Sequence, residues 1–404
     1  MRKLKSLLDA CILTYWFSVL SGAIAIRRTE NRYFRSHWQI PQILLYLAIF
    51  CHCALNSINE DIIPFPQVRN SEILNFVSVI LVNTLNVATI VWYITCLNNA
   101  KQMCNCLREI IEIDNNITER FPKQTEKKNY IIWMKSFIIL GLWCCYICCL
   151  VLQFLLNPAY SFAQFVTIVM FEFMNISTFL QYSVWTTVIR DRLFIINDYL
   201  ETNYFQTYCS DYPIDEEGFE EDLNTIHNLH KRLVQTARSI NVRFYCFLLL
   251  YVFFYYTALA SVAYVIVYIF AFTSVTDWYN FATLCGFLQF IMYTSFIISI
   301  LTCSEKLCYE ANRTGEVLSS IKINILKVTS RKLVISKCLS LMNNKLEITA
   351  CQLFKINMPL LHSIIASVTV YLVIMVQFDL EMSKVLMKKK ENSTNVYSIQ
   401  NFTL

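Results

Sequence analysis

Glu172 falls near the middle of an apolar run from about residue 159 to 185. A carboxyl group at such a depth in lipid is expensive and is usually functional. Asn83 and Asn86 stand three residues apart in another apolar run, so they share one helical face. Gln164 and Gln289 add two amides, and Tyr255, Tyr256, Tyr264, Tyr268 and Tyr293 crowd the region from 244 to 302. Aromatic walls with a few amides, hydroxyls and a carboxyl group are the chemistry of a pocket for a small organic molecule. The same groups also serve as hydrogen-bonding glue between membrane helices. The ligand-binding candidates are Asn83, Asn86, Glu172, Tyr264, Tyr268 and Tyr293.

Other chemistries find little support. The chain has no Gly-rich phosphate loop, no HExxH pair and no GxSxG elbow. His227 and His230 lie three apart with Glu220 and Asp222 nearby, a pattern that reads as a solvated helical face before it reads as a metal site. The run "WCCYICCL" places Cys144, Cys145, Cys148 and Cys149 within an apolar stretch, where thiols are small packing residues and no aqueous route feeds a metal. No enzyme activity, cofactor or metal is expected. A nucleic-acid role would need a basic, aromatic-bearing soluble face, and none is present.

The elements that must position these residues are membrane spans. The chain is 56% hydrophobic and 16% charged, with 5 glycines, whereas soluble domains average about 25% charged residues. Runs long enough to cross a hydrocarbon layer of about 30 Å fall at about 39–56, 73–96, 130–154, 159–185, 244–272, 279–302 and 357–378. Segment 6–26 resembles a signal peptide, but Asp9, Thr14 and Tyr15 interrupt it and Arg27, Arg28, Arg32 and Arg35 follow it. An amphipathic helix on the cytoplasmic membrane surface is the preferred reading.

Lysine and arginine set the orientation. Alternate segments between the spans hold 28 and 5 of them. Cytoplasmic loops collect these residues, which puts the amino terminus inside and the carboxyl terminus outside. The 17 cysteines agree, because the outer loops and tail contain none. So do sequons at Asn392 and Asn401, which fall in the outward tail as candidate glycosylation sites. The expected fold is thus an all-α membrane protein with seven transmembrane helices and an extra amphipathic amino-terminal helix. Residues 1–38 form a cytoplasmic segment, 39–378 the seven-span unit and 379–404 an extracellular tail. Long inner segments at 186–243 and 303–356 carry apolar residues at helical spacing, among them Leu223, Ile226, Leu229, Leu233 and Ala237. They are expected to pack together as a cytoplasmic anchor. The ligand candidates are expected in the outer half of a bundle made by spans two to six.

"DRL" at Asp191–Leu193 follows span four, not span three, and "NPAY" at Asn157–Tyr160 lies in an outer turn. With an inverted orientation and no outer cysteine pair, these features exclude a rhodopsin-like receptor. A secondary transporter, the alternative of a different class, predicts inverted repeats and broken midplane helices, and the chain has neither.

The carboxyl-terminal stretch "ITACQLFKINMPLLHSIIASVTVYLVIMVQF" (348–378) resembles the last span of insect gustatory receptors. Their signature is Thr-Tyr, a hydrophobic run, then Gln-Phe. Tyr371, the run Leu372–Val376, Gln377 and Phe378 match it, while Val370 stands at the Thr position with Thr369 one place earlier. The resemblance implies a ligand-gated cation channel of the plasma membrane, in gustatory neurons, assembled as a homotetramer or heterotetramer. It implies that the last span lines a central pore, that Gln377 and Phe378 form the pore constriction, and that Tyr371 is a structural signature residue. The implied partners are a small-molecule tastant, permeant cations and membrane lipids. Sugar receptors of the family place Glu after the signature Tyr; here that residue is Leu372. This turns the expectation toward bitter plant compounds, with a sugar- or fructose-responsive receptor and the related insect odorant receptors as alternatives.

Overall fold

The computed structural model describes residues 7, 11–21, 26–29, 32–35, 39–58, 72–156, 162–205, 216–272, 281–320 and 328–400. A short helix, α1 (Ile12–Leu20), and a hairpin of β1 (Ile26–Thr29) and β2 (Arg32–Arg35) precede the long helices. These are α2 (Gln39–Ile58), α3 (Glu72–Arg120), α4 (Pro122–Leu156), α5 (Phe162–Leu200), α6 (Glu216–Phe272) and α7 (Phe281–Ser320). The shorter α8 (Val328–Asn343), a hairpin of β3 (Thr349–Ala350) and β4 (Phe354–Lys355), and α9 (Met358–Gln400) complete the chain. The seven expected spans fall on α2 to α7 and α9, and the fold is nearly all helical. Among the described residues, α4, α5, α6, α7 and α9 each contain a stretch long and apolar enough to cross a membrane.

Length separates membrane from base. α6 has 57 residues and is about 85 Å long at about 1.5 Å per residue, against a hydrocarbon layer of about 30 Å. Much of it therefore projects beyond the bilayer, as do the far ends of α3, α5 and α7. These projections pack against one another and against α8. The sharp turn from α3 to α4 has a local cause. Pro122 cannot continue the preceding helix but fits the first position of the next, and Thr125 Oγ1 caps the turn by donating to the Phe121 carbonyl at 3.0 Å.

α5 is the central helix and α9 the peripheral one. Some 67% of the apolar window of α5 is buried, against 11% for α9. A helix buried on all sides must satisfy its polar groups against neighbours. Tyr182 and Ser304 hydroxyls meet at 2.6 Å, and Asn197 donates to the Glu310 carboxylate at 3.0 Å while accepting from Thr314 at 2.7 Å.

The amino-terminal helix, expected at the cytoplasmic membrane surface, spans Ile12–Leu20 and packs against α4 and α5. Phe17 packs edge-on against Trp143 of α4 at 5.0 Å and against Phe173 of α5 at 4.6 Å, both well inside the predicted spans. Its last turn is tied down by Gln42 Nε2 donating to the Val19 carbonyl at 3.2 Å and by the Tyr93 hydroxyl donating to the Ser21 carbonyl at 3.3 Å. The buried face carries Thr14, Tyr15 and Ser18. Ser18 can enter the bundle because its hydroxyl bonds the Thr14 carbonyl of its own helix at 2.6 Å, which cancels a desolvation cost the apolar periodicity does not register.

Ion pairs at the base join segments far apart in sequence. Arg192, 1% exposed, donates to Asp114 at 2.5 Å and to Asn129 at 2.7 Å. Burial pushes the Asp114 carboxyl up, against the pull of Arg192 beside it. Arg232 reaches Glu109 at 2.7 Å and Glu112 at 3.0 Å, and Arg120 and Tyr199 converge on Asp222 at 2.8 and 2.7 Å. His230 is buried with Nε2 at 2.9 Å from the Ala311 carbonyl, so it packs inside the base where its sequence pattern suggests a solvated helical face.

Candidate functional site

Two regions carry the residues singled out above. The first centres on Glu172, 2% exposed on α5. Its Oε1 accepts a hydrogen bond from the Tyr293 hydroxyl of α7 at 3.0 Å, and that hydroxyl accepts from Gln289 Nε2 at 2.7 Å. One turn along α5, Asn175 Nδ2 donates to the Tyr255 hydroxyl of α6 at 2.7 Å. The Tyr255 ring stands edge-on to Tyr293 at 4.9 Å and lies against Tyr251 at 4.1 Å. A buried amide, a carboxyl group and three tyrosines thus tie α5, α6 and α7 together at mid-span.

A cavity of about 460 Å³, counting its open mouth, adjoins this network. α3 contributes Ala88, Thr89, Val91 and Trp92; α5 contributes Phe171, Met174, Asn175 and Thr178; α6 contributes Cys246, Phe247, Leu250, Tyr251 and Phe254. Asn175 and Tyr251 belong to both the cavity wall and the tyrosine network. Measured along the predicted spans, the cavity runs from mid-depth toward the base, not in the opposite half of the bundle.

The structure brings some of the candidate ligand residues together and separates others. Glu172 and Tyr293 touch. Asn86 is 6% exposed on α3, and neither of its amide atoms has a partner among the described residues. Asn83, on the same helix, is exposed. Tyr264 is buried with Val265 against Leu372, Met375 and Val376 of α9, away from the Glu172 cluster. The side chain of Tyr268 lies outside the described residues, as do those of Gln164, Asn392 and Asn401. Asn175, Tyr251, Phe247 and Trp92 were not candidates. A signal for the α6 residues exists in the recurrence of Phe247, Tyr251 and Phe254 at helical spacing.

If the hydroxyl of Tyr293 holds the Glu172 carboxyl, removing it leaves a buried acceptor short of a donor. Tyr293→Phe is expected to destabilise the purified protein by about 1–3 kcal/mol, read as a lower midpoint in a thermal melt, with Gln289→Ala milder because it acts one bond further out.

The second region is the face of α9. Leu372, Met375 and Val376 pack against Tyr264 and Val265, and the Tyr371 ring meets Tyr256 edge-on at 6.0 Å. On the opposite face Val370, Val373, Ile374 and Phe378 are 58%, 50%, 39% and 58% exposed, and Gln377 is exposed with them. Positions 370, 373, 374 and 377 recur at the spacing of one helical stripe. The chain covers one face of α9 and leaves bare the face bearing Gln377 and Phe378. A β-hairpin precedes this helix; Cys351 and Gln352 take positive φ of 49° and 62° at its turn, and Ala350 and Ile356 are buried beside it. Among the described residues no group of histidine, cysteine or acidic side chains is placed to hold a metal.

A family model described as a 7tm chemosensory receptor matches residues 12–382. No curated protein matches the chain by sequence. Among solved structures, the insect olfactory receptor OR5 from Machilis hrabei superposes with a TM-score of 0.68 at 14% identity, covering 91% of this chain and 99% of that one. The same receptor solved in complex with eugenol gives 0.67 at 13% identity, with the same coverage. At that identity the likeness is one of fold.

Proposed function

The chain belongs to the 7tm chemosensory receptor family, and from that premise we propose that it is a gustatory receptor acting as a tastant-gated cation channel, with bitter plant compounds as its ligands. The observation that carries this reading is the bare stripe on α9. An apolar stripe that its own chain leaves uncovered, ending in Gln377 and Phe378, suits a helix that faces copies of itself around a pore. Four such helices, from a homotetramer or a heterotetramer, would put a ring of Phe and a ring of amides at one level. A ring of Phe excludes water and ions when narrow, and the amide ring supports a passing cation when the helices part. Glu381, one turn beyond, is exposed and would draw cations to the mouth.

Tyr371 and the Gln377-Phe378 pair favour the gustatory branch over the odorant one, and Leu372 argues against the sugar receptors. Ligand enters the reading through the cavity and the Glu172 network, which sit on α5 and α6; Tyr264 of α6 touches α9. A rigid helix thus joins the ligand wall to the pore helix. The olfactory receptor of similar fold has been solved with eugenol, which supports a small organic ligand held within the helices here. The receptor reading places the chain in the plasma membrane with its amino terminus and base inside.

Calcium imaging of cells expressing the chain against sugars, plant alkaloids and glycosides tests the ligand class. Responses confined to bitter compounds are expected; a response to sugars alone would overturn that assignment. Epitope tags at the amino terminus and within 303–356 are expected to be reached only after permeabilisation, and a tag after Leu404 on intact cells. An amino terminus labelled on intact cells would contradict the orientation.

A further inference from the structure

Glu305, Cys308 and Asn312 of α7 stand at i, i+3 and i+7, one stripe of a helix. All three are half-buried, on the inner side of the predicted sixth span. Each reaches the backbone of the segment that leads into α9. Asn312 holds Leu346 twice, Nδ2 donating to its carbonyl at 3.2 Å and Oδ1 accepting from its N–H at 2.9 Å. The Cys308 thiol hydrogen-bonds the backbone of Ile348. Glu305 Oε2 accepts from the Met358 N–H at 3.2 Å, and the Thr302 hydroxyl donates to the Met358 sulfur at 3.8 Å. Met358 opens α9, where backbone N–H groups lack partners in their own helix and negative charge is favoured. The segment between is tied to itself: β3 and β4 pair, and the Ile356 N–H donates to the Ile348 carbonyl at 2.9 Å. α7 is in turn fastened to α5, by Ser304 to Tyr182 at 2.6 Å and by Glu310 to Asn197 at 3.0 Å.

We propose that Glu305 and Asn312 are positioning residues of the channel. They clip the two ends of 346–358 to α7, so that the hairpin and the inner end of the pore helix move with α7 as one body. The inference rests on the reading of α9 as a pore helix. Such a helix needs a fastening, because only 11% of the apolar window of α9 is buried and packing alone leaves it free to lean. The bare stripe faces the proposed axis, and α7 meets α9 on its covered side. The clip therefore holds the inner end of α9 back from the axis. Tyr293, bonded to Glu172, lies on α7 twelve residues before Glu305, about 18 Å along the helix. A displacement at mid-span thus reaches Met358 through one rigid element. Phe378 lies 20 residues beyond Met358, about 30 Å away, so the clip acts on where the pore helix stands and not on the constriction.

Hydrogen exchange on the full chain in phosphatidylcholine nanodiscs reads the clip without any ligand. Glu305→Leu and Asn312→Ala are expected to speed exchange about fivefold across 346–358 and the first turn of α9, with α5 and the rest of α7 unchanged. Glu305→Gln keeps an acceptor oxygen at the same reach and is expected to exchange as the wild type does. Recordings in the Phe378→Ala background, whose standing current needs no tastant, read the positioning. Adding Glu305→Leu is expected to cut that current severalfold at equal surface level while unitary conductance stays the same; adding Glu305→Gln is expected to preserve it. Asn312→Ala, which leaves the carboxylate in place, carries both measurements should Glu305→Leu fold poorly. Exchange over 346–358 that stays at the wild-type rate overturns the inference. Faster exchange spread evenly over α5 and α7 overturns it too, since that marks a general loss of stability. An unchanged standing current beside locally faster exchange does the same, because the clip would then not position the pore helix. No standing current in Phe378→Ala itself counts against the gate at that residue, and the exchange rates alone then decide the clip.

Discussion

Cells expressing Phe378→Ala are expected to carry a standing cation current in the absence of any ligand. The phenyl ring is 58% exposed on a face that its own subunit does not cover. In an assembly where that face lines the axis, the ring is the bulk that keeps a closed pore dry. Truncation to a methyl group widens the constriction on every subunit at once, so the effect multiplies around the ring. Gln377→Ala is expected to change conductance or ion preference instead, because the amide meets a passing cation more than it blocks one. Neither change touches the cavity on α3, α5 and α6, so ligand binding is expected to persist in both. Tyr371→Phe is expected to be milder still. Tyr371 lies six residues before Gln377, nearly two turns at about 3.6 residues each, and its ring braces α9 against Tyr256. Whole-cell recording with surface labelling as a control reads all three. Unchanged leak, conductance and selectivity at normal surface levels in the 377 and 378 variants would remove the gate from these residues.

Arg192→Ala is expected to abolish folded receptor at the cell surface. The guanidinium is buried between Asp114 and Asn129, at the meeting of α3, α4 and α5. Breaking a buried pair by removing one partner costs about 3–5 kcal/mol, since the partner's charge is left without compensation. That is a large share of the total stability of about 5–15 kcal/mol that a domain has to lose. Asp114→Ala is expected to be similarly damaging, for it strands Arg192. The double replacement Asp114→Leu with Arg192→Met removes both charges and keeps apolar volume, so it is expected to recover much of the loss. Surface biotinylation and detergent thermal melts of the two single variants and the double variant check this. Single variants that reach the surface at normal levels would show that the pair is not part of what holds the base.

Much of the fold was legible because spans obey a length rule. The helices of the seven expected spans start or end within a few residues of the apolar runs where those runs meet loops, and run on where polar helix follows. Gln377 and Phe378 stand out in the sequence because they close an aliphatic run, but the bare face they share with Val370, Val373 and Ile374 is seen only in the packing of α9. Pairings across the chain were not legible. Arg192 and Asp114 are 78 residues apart in sequence, and no local pattern announces that "DRL" buries its arginine against another hairpin. Tyr264 shows a different limit. It belongs to the same tyrosine-rich stretch as Tyr255, but its ring packs on α9. Composition located the aromatic region, and only the packing of α6 between its neighbours sorted its faces. Asn175 carries no local signal of its role, since its partner Tyr255 lies 80 residues away on another helix.

Cysteine placed at residue 377 gives the most direct test of a pore formed by α9. The outward segments inferred from charge contain no native cysteine, so wild-type current is expected to be insensitive to an impermeant, positively charged thiol reagent applied from outside. In Gln377→Cys, the same reagent applied during a ligand-evoked response is expected to enter the open constriction, attach there and reduce the current irreversibly, faster with ligand than without. A ligand-evoked current in Gln377→Cys that the reagent leaves as untouched as in the wild type would contradict a pore at this position.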